Sequence, residues 1–405
     1  MILQPTIRFQ QYCNTWEKGK LSDYLEVSLD KNTDGVFTKD DVLSVSGDYG
    51  IVNQIEFKGR SYAGASVSNY GIVETGDVVY TKSPLNSNPF GIIKTNKGAP
   101  GIVSTLYAVY HTKKKAFPAF IQDYFDEDGR LNSYLRPLVN KGAKNDMKVS
   151  SENALKGNVV FPSFEEQETI SSFFSEVNRI IDLNQHRLTK YREIKQSLLN
   201  SLFPPINTIL PDARFSEYSM EWRKTSLDRV MMPYTDYLPT PTDGYTRLGI
   251  RSHMKGTFYE YVAPSKQLGE KRLQRVKRDN FIVNIVFAWE HAIAVTTKED
   301  EGKLVSHRFP QFSFNEGMYP RFFHYALNDE RFRHHLWLAS PSGAGRNKTL
   351  RIDEMMEYEL RVPEYEEQKK IADFLTSLDE LIELYDYRIT KLQNIKAACL
   401  QGMFV

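Results

Sequence analysis

A stripe of apolar residues spaced alternately by four and three positions is the clearest pattern in the chain. It starts at Ile170 and takes in Phe174, Val177, Ile181, Leu188, Tyr191, Leu198 and Leu202, with Asn184 and Lys195 in the same seven-residue register. A second stripe runs through Ile371, Leu375, Leu378, Ile382, Tyr385, Ile389, Leu392, Lys396, Cys399 and Met403. This spacing is that of a coiled-coil seam and predicts two long helices. Each opens on the same motif, Pro-x-x-Glu-Glu-Gln-x-x-Ile: Pro162-Ser-Phe-Glu165-Glu166-Gln167-Glu-Thr-Ile170 and Pro363-Glu-Tyr-Glu366-Glu367-Gln368-Lys-Lys-Ile371, 201 positions apart. Ser163 followed by Glu166 predicts a capping box, and Pro162 lies just before the helix, where a missing N–H costs nothing. Pro204-Pro205 ends the first helix. A helix from Glu165 to Leu202 would reach roughly 57 Å, against about 30 Å for a compact domain. Two such helices are therefore expected to pair with each other, antiparallel, rather than each folding into its own domain.

The repetition extends beyond the helices. Arg187, Thr189, Lys190, Ile194, Lys195 and Leu199 recur as Arg388, Thr390, Lys391, Ile395, Lys396 and Leu400. Arg8-Phe9-x-x-Tyr12-x-x-x-Trp16-x-Lys18 returns as Arg214-Phe215-x-x-Tyr218-x-x-x-Trp222-x-Lys224. Inside the halves the match thins to pairs such as Val103-Ser104 with Val305-Ser306 and Gly142-Ala143 with Gly343-Ala344. Short β-branched and aromatic runs, such as 76–80 and 281–286, predict strands, and Gly, Asn and Pro clusters at 83–89 and 341–345 break them. The fold class expected is α+β with internal duplication. A mixed globular region (1–161), a helix (162–204), a second globular region (205–362) and a second helix (363–405) follow one another. Duplication of one unit suggests one task performed at two places.

Composition narrows the class only slightly. In 405 residues, 41% hydrophobic and 25% charged content is that of an ordinary globular protein. No apolar run reaches the ~18 residues of a membrane span and the start lacks a secretory pattern, so a cytoplasmic protein with no membrane partner is expected. Cys13 and Cys399 are the only cysteines, which argues against a disulfide framework or a cysteine zinc site. The net charge of +1 conceals local excess. Residues 82–115 carry six lysines and no acid, and 247–278 carry nine bases against Glu260 and Glu270. Such patches fit local binding of phosphates.

Catalytic patterns are missing from the sequence. Asn88-Pro89-Phe90 lacks the second proline of an adenine methyltransferase motif, and Phe203-Pro204-Pro205-Ile206 lacks its flanks. There is no phosphate-binding Gly-x-x-x-x-Gly-Lys-Ser/Thr loop. Asp126-Glu-Asp128-Gly129 starts like a calcium loop but has no closing carboxylate. His334-His335 and Glu290-His291 lack zinc-protease spacing.

The duplicated Trp-containing segment, divergent globular region and Pro-x-x-Glu-x-Gln-x-x-Ile helix resemble the specificity subunit of type I restriction–modification systems over essentially the whole chain. The resemblance implies a non-catalytic subunit that binds double-stranded DNA. Each globular region would be a target recognition domain reading one half of a bipartite sequence. The helices would set the gap between half-sites, at most about 17 base pairs for a rod of that length. They would also dock two methyltransferase subunits, with Ile170, Phe174, Val177, Ile181, Leu188, Tyr191, Leu198, Ile371, Leu375, Leu378, Ile382, Ile389 and Leu392 serving helix pairing and partner docking. Phe173 and Ile180 widen the stripe and suggest surface for a partner. Restriction/translocase subunits would complete the complex. S-adenosylmethionine, ATP and Mg2+ would bind those partners, with no cofactor or metal in this chain.

Phosphates would be neutralised by lysine and arginine, and bases read by Arg to guanine and Asn or Gln to adenine. The candidates are Lys82, Ser83, Asn86, Asn88, Lys94, Lys141, Lys144 and Asn145 in the first region. In the second they are Arg247, Arg251, Lys271, Arg272, Arg275, Lys277, Arg346, Asn347 and Lys348. Two alternatives stand beside this one: a coiled-coil adaptor that binds no DNA, and the specificity chain of a related bipartite system of type IIB kind.

Overall fold

The computed structural model describes residues 4–405 apart from 83, 86, 142–146, 206–207, 265–271 and 342–347. Two compact units emerge: Met1–His186 with Asp386–Val405, and Arg187–Tyr385. Each long helix contributes to both units, so compactness does not follow chain order.

The first unit comprises β1 (Glu17–Lys20), β2 (Leu25–Val27), β3 (Leu43–Ser46), β4 (Gly50–Asn53), β5 (Gly71–Val73), β6 (Val78–Thr81), β7 (Ile93–Thr95), β8 (Gly101–Val103) and β9 (Tyr107–Thr112). Helices α1 (Pro118–Phe125) and α2 (Asp128–Leu135), strand β10 (Asn158–Phe161) and the first part of α3 (Phe164–Ser201) follow. The central antiparallel sheet has the order β2-β9-β6-β7. Strand β6 is apolar on both faces because it feeds two cores. Val78 and Tyr80 join a large core with Trp16, Phe120, Phe161, Phe174 and Phe404, while Val79 joins a smaller one with Leu43, Val73 and Val103.

The second unit repeats this plan with β11 (Arg223–Ser226), β12 (Met231–Tyr234), β13 (Tyr237–Pro239), β14 (Tyr245–Ile250), β15 (Thr257–Val262), β16 (Arg272–Arg275), β17 (Asn280–Val283), β18 (Ile293–Val295), β19 (Leu304–Val305) and β20 (Gln311–Phe314). Then come α4 (Pro320–Ala326), α5 (Glu330–Leu338), β21 (Glu359–Val362) and α6 (Tyr365–Gly402). The sheet order β12-β20-β17-β18 reproduces β2-β9-β6-β7. Strand β17 again alternates between cores: Phe281 and Val283 in the larger, Ile282 in the smaller with Leu248, Ile250 and Val305. A five-stranded sheet, β13-β16-β19-β14-β15, lies on the smaller core.

Both long helices span 38 residues. Their seam positions are buried or half-buried in the predicted register, from Ile170 and Phe174 to Leu198, and from Ile371 to Leu392. In the second unit the two helices run antiparallel. The Arg187 guanidinium donates to the Tyr385 hydroxyl at 3.3 Å, and Lys195 pairs with Asp379. Further along, Leu198 and Leu202 share a core with Ile371 and Leu375. Lys195, one of the polar residues in the seam register, is thereby held by a carboxylate. In the first unit Phe174 stacks on Phe404, with ring centroids 5.8 Å apart.

The repeated Glu-Gln pair proves to be a clip between helix and globular region. The Glu166 carboxylate accepts two bonds from Arg8, at 2.7 and 2.8 Å, and one from the Trp16 indole N–H at 3.4 Å. Arg8 also donates to the Asn14 carbonyl at 2.6 Å. Glu367, Arg214, Trp222 and the Met220 carbonyl repeat this arrangement. The expected capping box is thus half realised: Ser163 accepts from the Glu166 backbone N–H at 3.4 Å, but the Glu166 carboxylate is turned to Arg8. Gln167 accepts from the Phe117 N–H and donates to the Lys115 and Pro162 carbonyls. Gln368 does the same with Tyr319, Gly317 and Pro363. Each glutamine satisfies orphan backbone groups just ahead of a second helix, α1 or α4, and so fixes that helix to the long one.

The joint after each long helix also recurs. The Ala213 N–H donates to the Ser201 carbonyl at 2.9 Å in the second unit, and the Ile7 N–H donates to the Gly402 carbonyl at 2.9 Å in the first. Phe173 is not free surface: its ring meets Phe9 edge-on at 5.9 Å, as Phe374 meets Phe215 at 5.8 Å.

Candidate nucleic-acid interface

In the second unit the basic residues gather on the outer sheet. Strand β14 alternates, with Leu248 and Ile250 in the core and Arg247 and Gly249 on the other face. Across it, β15 places Glu260 opposite Arg247 and Phe258 opposite Gly249. The Arg247 guanidinium donates to Glu260 at 2.5 Å, with both side chains about half exposed. Arg275 on β16 reaches Asp236 at 3.4 Å, and Arg272 beside it is exposed. Exposed ion pairs of this kind are weak, so these guanidiniums are available to a stronger anion. Arg251 donates to the Thr257 carbonyl and stacks over Phe258, 5.3 Å from the ring centroid. Lys277 lies over Tyr234 at 5.0 Å. Lys348 sits between two indoles, 5.1 Å from Trp289 and 4.8 Å from Trp337.

The first unit departs from expectation. Asn88 is 6% exposed, and its amide donates to Asp128 at 2.8 Å. Lys94 is 8% exposed and paired with Asp126. Both are interior residues that tie the end of β6 and β7 to the start of α2, and they are withdrawn from any DNA surface. The same contacts account for Asp126 and Asp128, the fragment that imitates a calcium loop. Lys82 is half-buried, and burial pushes its pKa down against the favourable field of Glu152. Lys113 donates to the Ser22 carbonyl at 2.9 Å. Much of the lysine excess in 82–115 therefore serves the fold. Lys141 lies on a short strand, Asn140–Lys141. Ser83, Asn86, Lys144, Asn145, Lys271, Arg346 and Asn347 lie outside the described residues.

The first unit also holds a cluster that the sequence did not disclose. His111 is within 2.8 Å of Asp77 and 3.0 Å of Asp30, linking β9, β6 and the segment after β2. At the equivalent places of the second unit, Ser313 donates to Asn280 at 2.9 Å. An ion pair in one copy and a neutral pair in the other mark the cluster as a tie between strands. Among the described residues, no group of three or more His, Cys, Asp or Glu side chains could hold a metal. No described helix is long and apolar enough to cross a membrane.

Known proteins resemble this arrangement. Residues 251–394 match the family described as the type I restriction modification DNA specificity domain. The crystal structure of a type I restriction–modification S subunit from M. genitalium matches with a TM-score of 0.57 at 10% identity, over 99% of each chain. The HsdS subunit from Thermoanaerobacter tengcongensis matches with a TM-score of 0.45 at 14% identity, over 96% of each chain. The fold likeness therefore rests on the first of these. Residues 251–394 are thus similar to the type I restriction modification DNA specificity domain, and the fold of the whole chain is like that of the S subunit from M. genitalium.

Proposed function

We propose that the chain directs a type I restriction–modification assembly to a bipartite DNA target. Regions 1–161 and 205–362 each read one half-site, and the helical segments 162–204 and 363–405 pair along their seams to set the gap. What carries this reading is the duplication of both the reading region and its attachment. Sheet order, clip and helix joint recur, while the surface residues differ. Two identical attachments with different surfaces suit the recognition of two different short sequences at a fixed separation.

Apolar residues facing away from the seams suit partner docking. Leu183 and Ile194 on α3 and Leu384 and Ile395 on α6 are exposed at equivalent positions. We assign them to two methyltransferase subunits, with restriction/translocase subunits completing the complex. Methyl transfer, translocation and cleavage, with S-adenosylmethionine, ATP and Mg2+, belong to those partners, and this chain supplies recognition alone.

Methylome sequencing of cells with and without the chain tests the proposal. Loss of one bipartite adenine-methylation motif with a fixed gap is expected. No bipartite motif in the presence of all partner subunits, together with DNA affinity insensitive to salt, would leave the adaptor reading instead.

A further inference from the structure

The hairpin formed by β14 and β15 has two unlike faces. On its inner face Thr257 and Tyr259 are tied to Asp300, at 2.7 and 2.9 Å, next to the core residues Leu248 and Ile250. Its outer face is Arg247, Gly249 and Arg251 from β14 and the loop beyond it, with Phe258 and Glu260 from β15. On this face Phe258 is 40% exposed, and Arg247 and Arg251 are exposed beside it. The Phe258 ring lies over Gly249, where any Cβ would overlap it, and Arg251 lies on the ring in turn. The missing side chain at 249 thus makes the seat for a phenylalanine that holds an arginine.

The connecting loop is pinned. The His253 N–H donates to the Glu290 carbonyl at 2.8 Å and the Met254 N–H to the His291 carbonyl at 3.0 Å, while Arg251 and Gly256 close the turn at 3.0 Å. His253 and Met254 are both left-handed, at φ 58° and 51°. Two successive non-glycine residues in that region are costly, and their surroundings must hold them there. The ribbon is a rigid presentation of two arginines.

We infer that the outer face of this ribbon enters the major groove of the half-site read by the second unit. Arg247 and Arg251 contact base edges, and Glu260 and Phe258 position them. This rests on the specificity reading above and deepens it. The occupant follows from shape and charge. A two-stranded ribbon, with strands about 4.8 Å apart, fits a major groove about 12 Å wide. Planar guanidiniums match the paired acceptors of guanine, and Glu260, once released by Arg247, can accept from a cytosine amino group.

The test uses the full chain co-expressed with its unaltered partner subunits. Methylomes are sequenced for Arg247→Ala, Arg251→Ala, Arg251→Lys and Phe258→Ala. The expected result is an unchanged first half-site and gap, with the second half-site degenerate at one position per arginine. Discrimination there should fall about tenfold or more. Arg251→Lys, which keeps the charge and the fold but not the two-pronged geometry, should relax the same position as Arg251→Ala, and Phe258→Ala should do so more weakly. A second half-site that stays strict while methylation falls evenly would make these arginines phosphate contacts and overturn the inference. So would a change confined to the first half-site. An unaltered chain that directs no bipartite motif would instead overturn the specificity reading itself.

Discussion

Removing Glu367 tests whether the repeated motif is a structural clip. The Glu367 side chain is fully buried and that of Arg214 is 14% exposed. Their two hydrogen bonds, both 2.7 Å, hold the segment before β11 against the start of α6. Glu367→Ala would leave a largely buried guanidinium facing only the Met220 carbonyl, and would free the Trp222 indole N–H. Breaking a buried pair by deleting one partner costs about 3–5 kcal/mol. In a unit of this size each kcal/mol moves the melting temperature by roughly 2–4 °C, so a drop on the order of 6–20 °C is expected. Hydrogen exchange resolved by peptide should show the loss in 208–230 and 359–375 and not around Arg8. Glu359→Ala is the control, because its ion pair with Lys224 is exposed on both sides and should contribute little. Replacing both partners, Arg214→Met with Glu367→Leu, should recover much of the loss. If Glu367→Ala proved as mild as Glu359→Ala, the clip would not hold the unit together, and the motif would need another explanation.

Three further outcomes follow from the packing. Burial alone would push the His111 pKa down, but its bonds to Asp77 and Asp30 outweigh this and raise it above the usual value. Its stabilisation is therefore full below about pH 6.5 and is lost as pH rises through the raised value. Hydrogen exchange in β2 and β9 should speed up with pH more in the parent chain than in His111→Gln, and equal slopes would refute the assignment. The Asp123 carboxyl, buried between α1 and α3, is pushed up to about 7, mainly by burial. Because folding raises the pKa of this acid, it costs stability as pH rises from about 4 to 7. Asp123→Asn should flatten that slope in pH-dependent melts, and an unchanged slope would mean the carboxyl is not titrating there. The Arg130 guanidinium donates to the Tyr124 carbonyl at 2.8 Å and the Leu400 carbonyl at 2.7 Å. Arg130→Met should cost about 1–3 kcal/mol in urea unfolding, since it leaves one acceptor at the end of α1 and one near the end of α6 without this donor. No measurable loss would mean water takes its place.

The long helices were legible because their signal is local. The seven-residue spacing, the proline before each helix and the proline pair after the first located both within a residue or so. The Glu-Gln motif was legible as a repeat but not as a clip, because its partner Arg8 lies 158 residues away in sequence. Strands such as β6 and β17 were visible as apolar runs, but their feeding of two cores depends on sheet order, which no local pattern encodes. The lysine run of 82–115 misled for the same reason: Lys94 meets Asp126 and Lys113 meets Ser22 only once the chain has folded. In the second unit Arg247, Arg251, Arg272 and Arg275 remain exposed, on β14 and β16 or in the loop after β14.

The chain's four tryptophans divide into two pairs, which gives the molecule built-in optical probes. Trp16 and Trp222 are each 2% exposed, one in each clip, so their emission should be blue-shifted and should report the integrity of the two units. Trp289 and Trp337 flank Lys348, and Trp337 is 48% exposed. Their emission should be redder and open to quenchers such as acrylamide. A polyanion that draws Lys348 from between the rings would alter the second signal and leave the first unchanged. One fluorescence titration would thus separate binding at the second unit from loss of structure, with no label attached.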